Sequence, residues 1–172
     1  MEPLAHASIA IFAKPFVPKA PLWALVAGTL VLDAVSYALI GAGIEKGAET
    51  TLDFKNGVQW LTQPHYPWSH GFSMALVWGA LIAAVAYLFS RDRRITFFMG
   101  LMVFSHWVLD AIAYPNMPVF FGDTPQTGLG LISSGPGLIA GIVLEVALIA
   151  GGIAAYLIYR RNLKAAGHRH GR

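Results

Sequence analysis

The sequence predicts an all-α fold, an integral membrane bundle of four transmembrane helices plus a short N-terminal helix, and three observations predict it. Of the 172 residues 56% are hydrophobic and only 12% are charged, about half the charge of an ordinary soluble domain. Four apolar stretches are close to the roughly 20 residues that a bilayer core requires. The basic residues, finally, gather at one set of helix ends.

In chain order, residues 1–20, MEPLAHASIAIFAKPFVPKA, are too short to cross comfortably and lack the basic start and small-residue cleavage site of a secretory signal. They predict a short retained helix over residues 3–14. The single bundle follows over residues 21–159, with spans at Pro21 to Ile44, His70 to Phe89, Ile95 to Tyr114 and Gly137 to Tyr159. Residues 160–172 form a basic tail. No internal repeat marks a second domain. There are no cysteines, which leaves no disulfide framework and no thiolate metal site.

Orientation follows from lysine and arginine, which are retained on the cytoplasmic side. Lys14, Lys19, Arg91, Arg93, Arg94, Arg160, Arg161, Lys164, Arg169 and Arg172 make ten of the twelve basic residues, and four spans put all ten on one side. Only Lys46 and Lys55 face the other way, among Glu45, Glu49 and Asp53. The expectation is a multi-pass protein of a bacterial inner membrane, with a cytoplasmic C-terminus and loops 45–69 and 115–136 outside. The net charge of +3 describes topology and makes no case for nucleic acid.

The ionisable residues within this apolar chain carry the chemistry. Asp33 lies mid-span in the first long helix, His70 opens the second, His106 and Asp110 sit in the third, and Glu145 enters the fourth. At 1.5 Å per residue, Asp110 lies roughly 6 Å, and His106 and Glu145 roughly 12 Å, below their outer helix ends. Each such charge costs about 2.5–3.5 kcal/mol at a helix centre, so it turns inward and finds partners. His106 and Asp110, four apart, share a helix face, as His–carboxylate metal ligation requires. Thr29, Asp33, Ser36 and Tyr37 form a polar stripe, and Gly137 and Gly141 share a face with Glu145 that invites close helix approach.

The segment QPHYPWSHGF adds two histidines. Pro64 and Pro67 interrupt helix, which makes Ser69 an N-cap and places His70 in the first turn of the second span; His65, in the loop, would complete or gate a site. Each residue also has a plainer role. The HxxxD pair fits a hydrogen bond between helices, Asp33 and Glu145 fit buried helix contacts, His6 fits a helix face, His65 a loop, and His168 and His170 a solvated tail.

The blocks AHASIAIF, GTLVLDAVS, HYPWSHGFSMAL and FSHWVLDAI, in this order, resemble bacterial inner-membrane proteins described as membrane-bound metal-dependent hydrolases, the YdjM-like family. That family shows an early His, an LxPD-like Asp, an HxxxTHS-like block and a later HxxxD. The resemblance covers residues 5 to 115 and implies His6, Asp33, His65, His70, His106 and Asp110 as the metal site. It departs where Leu32 replaces a proline and Gly71 a serine. A more distant likeness links the chain to zinc-dependent phospholipase C proteins, whose terminal HxxxE is half present here, with Gly141 four positions before Glu145.

The resulting expectation is a metal-dependent hydrolase acting on a phosphoester or lipid-linked substrate near the outer leaflet. Histidine and carboxylate ligands favour zinc, with manganese or iron as alternatives. Two ions would clamp a phosphoryl group, His6 or His65 completing the second, while Glu145 would act on the attacking water. The competing expectation is a non-catalytic accessory or assembly subunit whose buried His, Asp and Glu hold helices together, with GVQWLTQPHYPW as a docking surface. A secondary transporter fits less well, because the sequence predicts neither an inverted repeat nor a broken helix pair. Membrane lipids are the expected surroundings; the sequence leaves the oligomeric state open.

Overall fold

The computed structural model describes residues 3–47, 49–60, 65–122 and 124–170, and the side chains of all of these except 3, 60 and 166–170. Helix α1, Pro3–Ala13, is followed by a 3-10 turn, Lys14–Phe16. Its 11 residues span about 16 Å, half a hydrocarbon core. It nevertheless lies inside the bundle, with Ala5, His6, Ser8, Ala10 and Ala13 all buried. Small residues let α1 approach the last helix closely: a Cβ on Gly151 would lie 2.8 Å from the Phe12 ring.

The first long span is not one helix. It divides into α2, Leu22–Thr29, and α3, Val31–Gly41, bent by 50°, which corrects both the expected continuous span and the expected absence of a broken pair. No proline marks the break. Leu30 leaves helical geometry at φ −106°, ψ 4° and its N–H turns back to the Ala27 carbonyl at 3.1 Å, while the Thr29 hydroxyl bonds the Val26 carbonyl at 2.8 Å. Such back-bonding bends helices. Gly28 lets α2 close on a later helix, since a Cβ there would sit 3.1 Å from Met102 Cβ.

The next span is also preceded by a break. A four-residue helix α4, Pro67–His70, ends at Gly71, which caps α5, Phe72–Ser90, with an extended backbone. Ser69 and His70 therefore belong to α4, and the expected roles of Ser69 as N-cap and His70 as first-turn residue of the span do not hold. A Cβ on Gly71 would collide with the Pro67 carbonyl oxygen, so the turn that separates α4 from α5 needs glycine. Pro64, the other expected breaker, lies outside the described residues.

Helix α6, Arg93–Ala113, returns antiparallel to α5 through a tight turn with Arg91 in the left-handed region at φ 53°. Asp92 caps α6, accepting from the Arg94 and Ile95 N–H groups at 2.9 and 3.3 Å. Gly79 and Gly100 set the crossing: a Cβ on either would lie 3.2–3.3 Å from the other's carbonyl oxygen. Lys19 Nζ lies 3.5 Å from Asp92 Oδ2, so the N-terminal basic residues and the Arg91–Arg94 turn share one end of the bundle. The last helix, α7, runs Gly135–His170 and carries helical structure well into the basic tail; Arg172 lies outside the described residues.

Helices α5, α6 and α7 are each long and apolar enough to cross a membrane, and the bent α2–α3 pair makes a fourth crossing if it counts as one span. Two antiparallel hairpins decorate the opposite end from the basic turn. They are β1, Thr50–Asp53, with β2, Gly57–Trp60, and β3, Met117–Pro118, with β4, Gln126–Thr127. Gly57, at φ +80°, presses against the Ser134 nitrogen, and Gly135 presses against the Lys55 carbonyl. These contacts fix the first hairpin over the start of α7. Gly137 and Gly141 meet a 3-10 turn, Leu131–Ser133, rather than a neighbouring helix, the nearest atom to a Gly141 Cβ being Ile132 Cγ2 at 2.7 Å.

Candidate metal centre

The break after Thr29 matters because it frees a backbone carbonyl inside the bundle. His106 Nδ1 donates to the Thr29 oxygen at 2.7 Å. That bond fixes the ring and its tautomer, leaving the Nε2 lone pair free to coordinate. Nε2 is buried, has no hydrogen-bond partner among the described residues, and points at carboxylates: Asp110 Oδ2 at 3.2 Å and Asp33 Oδ1 at 3.5 Å. Asp33 reaches this point from the first turn of α3, and Asp110 from one turn beyond His106 on α6.

His70 arrives from α4. Its Nε2 lies 3.5 Å from Asp33 Oδ1 and 3.8 Å from Asp110 Oδ2. Behind it, Nδ1 lies 2.8 Å from Ser69 Oγ, whose proton goes to Glu45 Oε2 at 2.7 Å. His70 Nδ1 is therefore the donor of that first bond, and its Nε2, like that of His106, faces the carboxylates as a lone pair. Glu45 is 2% exposed. Its Oε1 accepts the Trp68 and Ser69 backbone N–H groups at 2.9 and 2.8 Å, and its Oε2 lies 3.3 Å from the Ser36 hydroxyl. One buried carboxylate thus ties α3, α4 and the His70 ring together.

His6 completes the group from α1. It is 1% exposed, stacks on His106 with ring centroids 3.8 Å apart, and places Nε2 3.4 Å from Asp110 Oδ1; its Nδ1 is buried without a partner among the described residues. Two overlapping sets, His6–His106–Asp110 and Asp33–His70–His106, each bring three potential ligand atoms within 4.8 Å of one another.

These residues fit a metal ion. A tetrahedron of ligand atoms about 2.0–2.1 Å from a centre has edges of about 3.3–3.4 Å, and the four histidine–aspartate separations, of the six edges that His70, His106, Asp33 and Asp110 would make, are 3.2–3.8 Å. Charge-assisted N–H···O bonds are shorter, about 2.7–2.9 Å. A divalent cation would also offset the charge of two aspartates that are costly in an apolar bundle. Because His106 has only Nε2 left to give, the two sets share one ligand atom. They could therefore not both be filled through that atom, and Asp33, His70, His106 and Asp110 could hold one ion with His6 beside it.

A cavity of about 460 Å³ adjoins the ligands, lined by Asp33, His70 and Asp110 on one wall and by Glu145 of α7 on another. Tyr66 and Tyr114 also line it. Burial, and then the nearby Asp110 charge, push the Tyr66 phenol up, so it remains a hydroxyl donor. Tyr37 and Ser36 reach the cavity as well, whereas Thr29 of the expected stripe is separated from them by the break. His65 is in neither ligand set; its backbone pairs with Lys46, at 2.8 and 2.9 Å, and holds the loop that presents Glu45. The His168 and His170 side chains lie outside the description.

Sequence reasoning missed Glu45, which it counted as an outer-loop charge. Its partners Trp68 and Ser69 are more than twenty positions away, and no local pattern announces such a contact.

Histidines and aspartates from α1, α3, α4 and α6 meeting at one buried point define an integral membrane bundle with a candidate metal centre. Residues 3–165 match the family described as YdjM inner membrane protein, and the chain belongs to that family. It is a multi-pass inner membrane protein. No curated protein and no solved structure matches the chain.

Proposed function

We propose that the protein is a metal-dependent hydrolase acting on a phosphoester, with the C-terminus of α7 in the cytoplasm and the site toward the outer leaflet. The observation that carries this reading is the 3.2–3.8 Å spacing of Asp33, His70, His106 and Asp110 around His106 Nε2, an atom buried without a hydrogen bond. Zinc suits two imidazoles and two carboxylates best, and manganese and iron are the alternatives. A bound ion would supply Lewis acidity and lower the pKa of a coordinated water. The chain's own residues do the rest. Thr29, Ser69 and Glu45 orient the two imidazoles. Glu145, on the facing wall of the cavity, acts as the general base that positions the attacking water and takes its proton. The tyrosine hydroxyls of Tyr66 and Tyr114 offer donors to the phosphoryl oxygens.

The distant phospholipase C likeness agrees with a lipid-linked phosphoester but adds no residue beyond these. The accessory-subunit reading would make the same side chains interhelical contacts; separations longer than charge-assisted bonds weigh against it. The broken α2–α3 pair gives some support to an ion-translocating protein, since half-helix ends with freed carbonyls bind ions in transporters, but the sequence has no inverted repeat to accompany it.

The test is a hydrolysis screen of lipid and soluble phosphoesters with detergent-purified, metal-loaded protein. Glu145→Gln should retain metal and lose about 10²–10⁴-fold in turnover, the usual contribution of a positioned base. Full activity in that variant would remove Glu145 from the mechanism, and no turnover of any phosphoester by metal-loaded wild type would remove the hydrolase.

A further inference from the structure

We infer that the cavity opens sideways into the bilayer between α3 and α7, and that what enters is a membrane phospholipid, its phosphodiester head inside and its acyl chains left in the membrane. The word substrate for this lipid rests on the hydrolase reading above; the route does not.

The β1–β2 hairpin lies at the outer end of the cavity, where the lining residue Leu52 is 58% exposed. Leu52 and Val58 of the β1–β2 hairpin line it, and the hairpin is fixed over the start of α7 by the close packing of Gly57 and Gly135. Met117, fully buried, lines it as well.

The flank is lined by side chains of two membrane helices. Tyr37 and Ile40 on α3 and Ile142 on α7 line the same cavity, yet Tyr37 is 76% and Ile142 44% exposed. Tyr37 lies one turn from Asp33. Ile142 is seven residues into α7, about 10 Å along a helix of membrane-spanning length. The two helices make no extended contact with each other. At this depth the medium outside a spanning helix is hydrocarbon, so exposed lining residues here mark an opening toward lipid.

Size and charge select the occupant. A cavity of about 460 Å³ is in the range of a small-molecule site, about 300–1,000 Å³, enough for a headgroup and its glycerol but not for two acyl chains as well. No lysine or arginine is among the described residues that line it, while Asp33, Asp110 and Glu145 are. A dianionic soluble monoester would meet more repulsion there than a monoanion. A phosphodiester carries a single negative charge, and its apolar chains gain from remaining in the bilayer.

The experiment uses the full chain in vesicles of phosphatidylethanolamine and phosphatidylglycerol that contain a phosphatidylethanolamine with a diazirine near the head of one acyl chain. Adducts are mapped by peptide mass spectrometry, and metal content is measured on the same samples. Labelling at Ile142 and at the half-buried Ile40 should exceed that at Leu76 and Val77 of α5, themselves 48% and 52% exposed, by several-fold, and labelling at Tyr37 should exceed it by more than its greater exposure accounts for. Ile142→Trp and Ile40→Trp, one on each side of the gap, should each reduce labelling at the remaining positions several-fold without loss of metal. Labelling in simple proportion to exposure, or labelling that neither tryptophan reduces, would overturn the lateral route. Portal labelling in wild-type protein that holds no metal would support the route while removing the hydrolase.

Discussion

His106 donates from Nδ1 to the carbonyl of Thr29 at 2.7 Å, at the point where the first long span breaks and that carbonyl is released from helical pairing. The break and the histidine explain each other. A buried carbonyl without a partner is costly, and an imidazole needs one nitrogen anchored if the other is to ligate in a fixed direction. Asp33 then follows in the first turn of α3, where a helix N-terminus favours a carboxylate. One bend therefore positions two of the candidate ligands.

Glu45→Gln should weaken metal binding about 10–100-fold, as loss of an outer-shell partner does, while leaving the ligands in place. Oε1 accepts two backbone N–H groups and Oε2 accepts from Ser69; an amide cannot reproduce all three, because its nitrogen does not accept. Chelator competition with purified protein measures the change. Unaltered affinity would mean that His70 is oriented without the Glu45–Ser69 connection.

Gly71→Ala should destabilise the protein by about 1–3 kcal/mol, the usual cost of overpacking, and should lower metal affinity with it. The added methyl meets the Pro67 carbonyl, and relief requires α4 to move, carrying His70 along. Gly47→Ala is the control: its Cβ would meet only Ile40 Cδ1 at 3.6 Å, an ordinary contact. Thermal unfolding in detergent separates the two variants, and equal behaviour would show that α4 adapts freely.

The spans were legible because hydropathy is a local property, and the meeting of Asp33, His106 and Asp110 because an ionisable side chain in an apolar run needs partners. The four-residue spacing of His106 and Asp110 survives unchanged on α6. The bend at Leu30 was not legible, since neither Pro nor a glycine pair marks it and the back-bonding Thr29 reads as an ordinary polar residue. Glu45 was hidden for a related reason: its role depends on a contact across the chain, whereas its sequence neighbourhood is that of a charged loop. His65, nominated by the resemblance, pairs with Lys46 through its backbone and is in neither ligand set.

Asp92 should contribute to stability in a pH-dependent way. Backbone N–H donation from Arg94, then from Ile95, holds its carboxyl below the usual range. A carboxyl depressed in the folded state stabilises it above the unfolded pKa, near 4, and loses that contribution as pH falls through the lower folded value. The melting temperature of Asp92→Ala should therefore lie below that of wild type at neutral pH, and the gap should narrow on acidification below about pH 4. A gap independent of pH would mean that the charge at this helix start contributes nothing.

Orientation can be checked directly, because the chain has no cysteine. A single cysteine at Asn56→Cys, in the turn between β1 and β2, should react with an impermeant maleimide in intact cells freed of their outer membrane. One at Lys164→Cys, near the end of α7, should react only after the inner membrane is opened. The reverse pattern would put the candidate site toward the cytoplasm and invert the topology inferred from the basic residues.

The most direct test of the metal centre is elemental mass spectrometry on tag-free, detergent-purified protein, comparing wild type with His106→Ala, Asp110→Ala and His65→Ala. Wild type and His65→Ala should hold close to one zinc, manganese or iron per chain, and the other two variants should lose it while they remain folded. Well-folded wild type that holds no metal after supplementation, or metal retained when both His106 and Asp110 are replaced, would contradict that expectation.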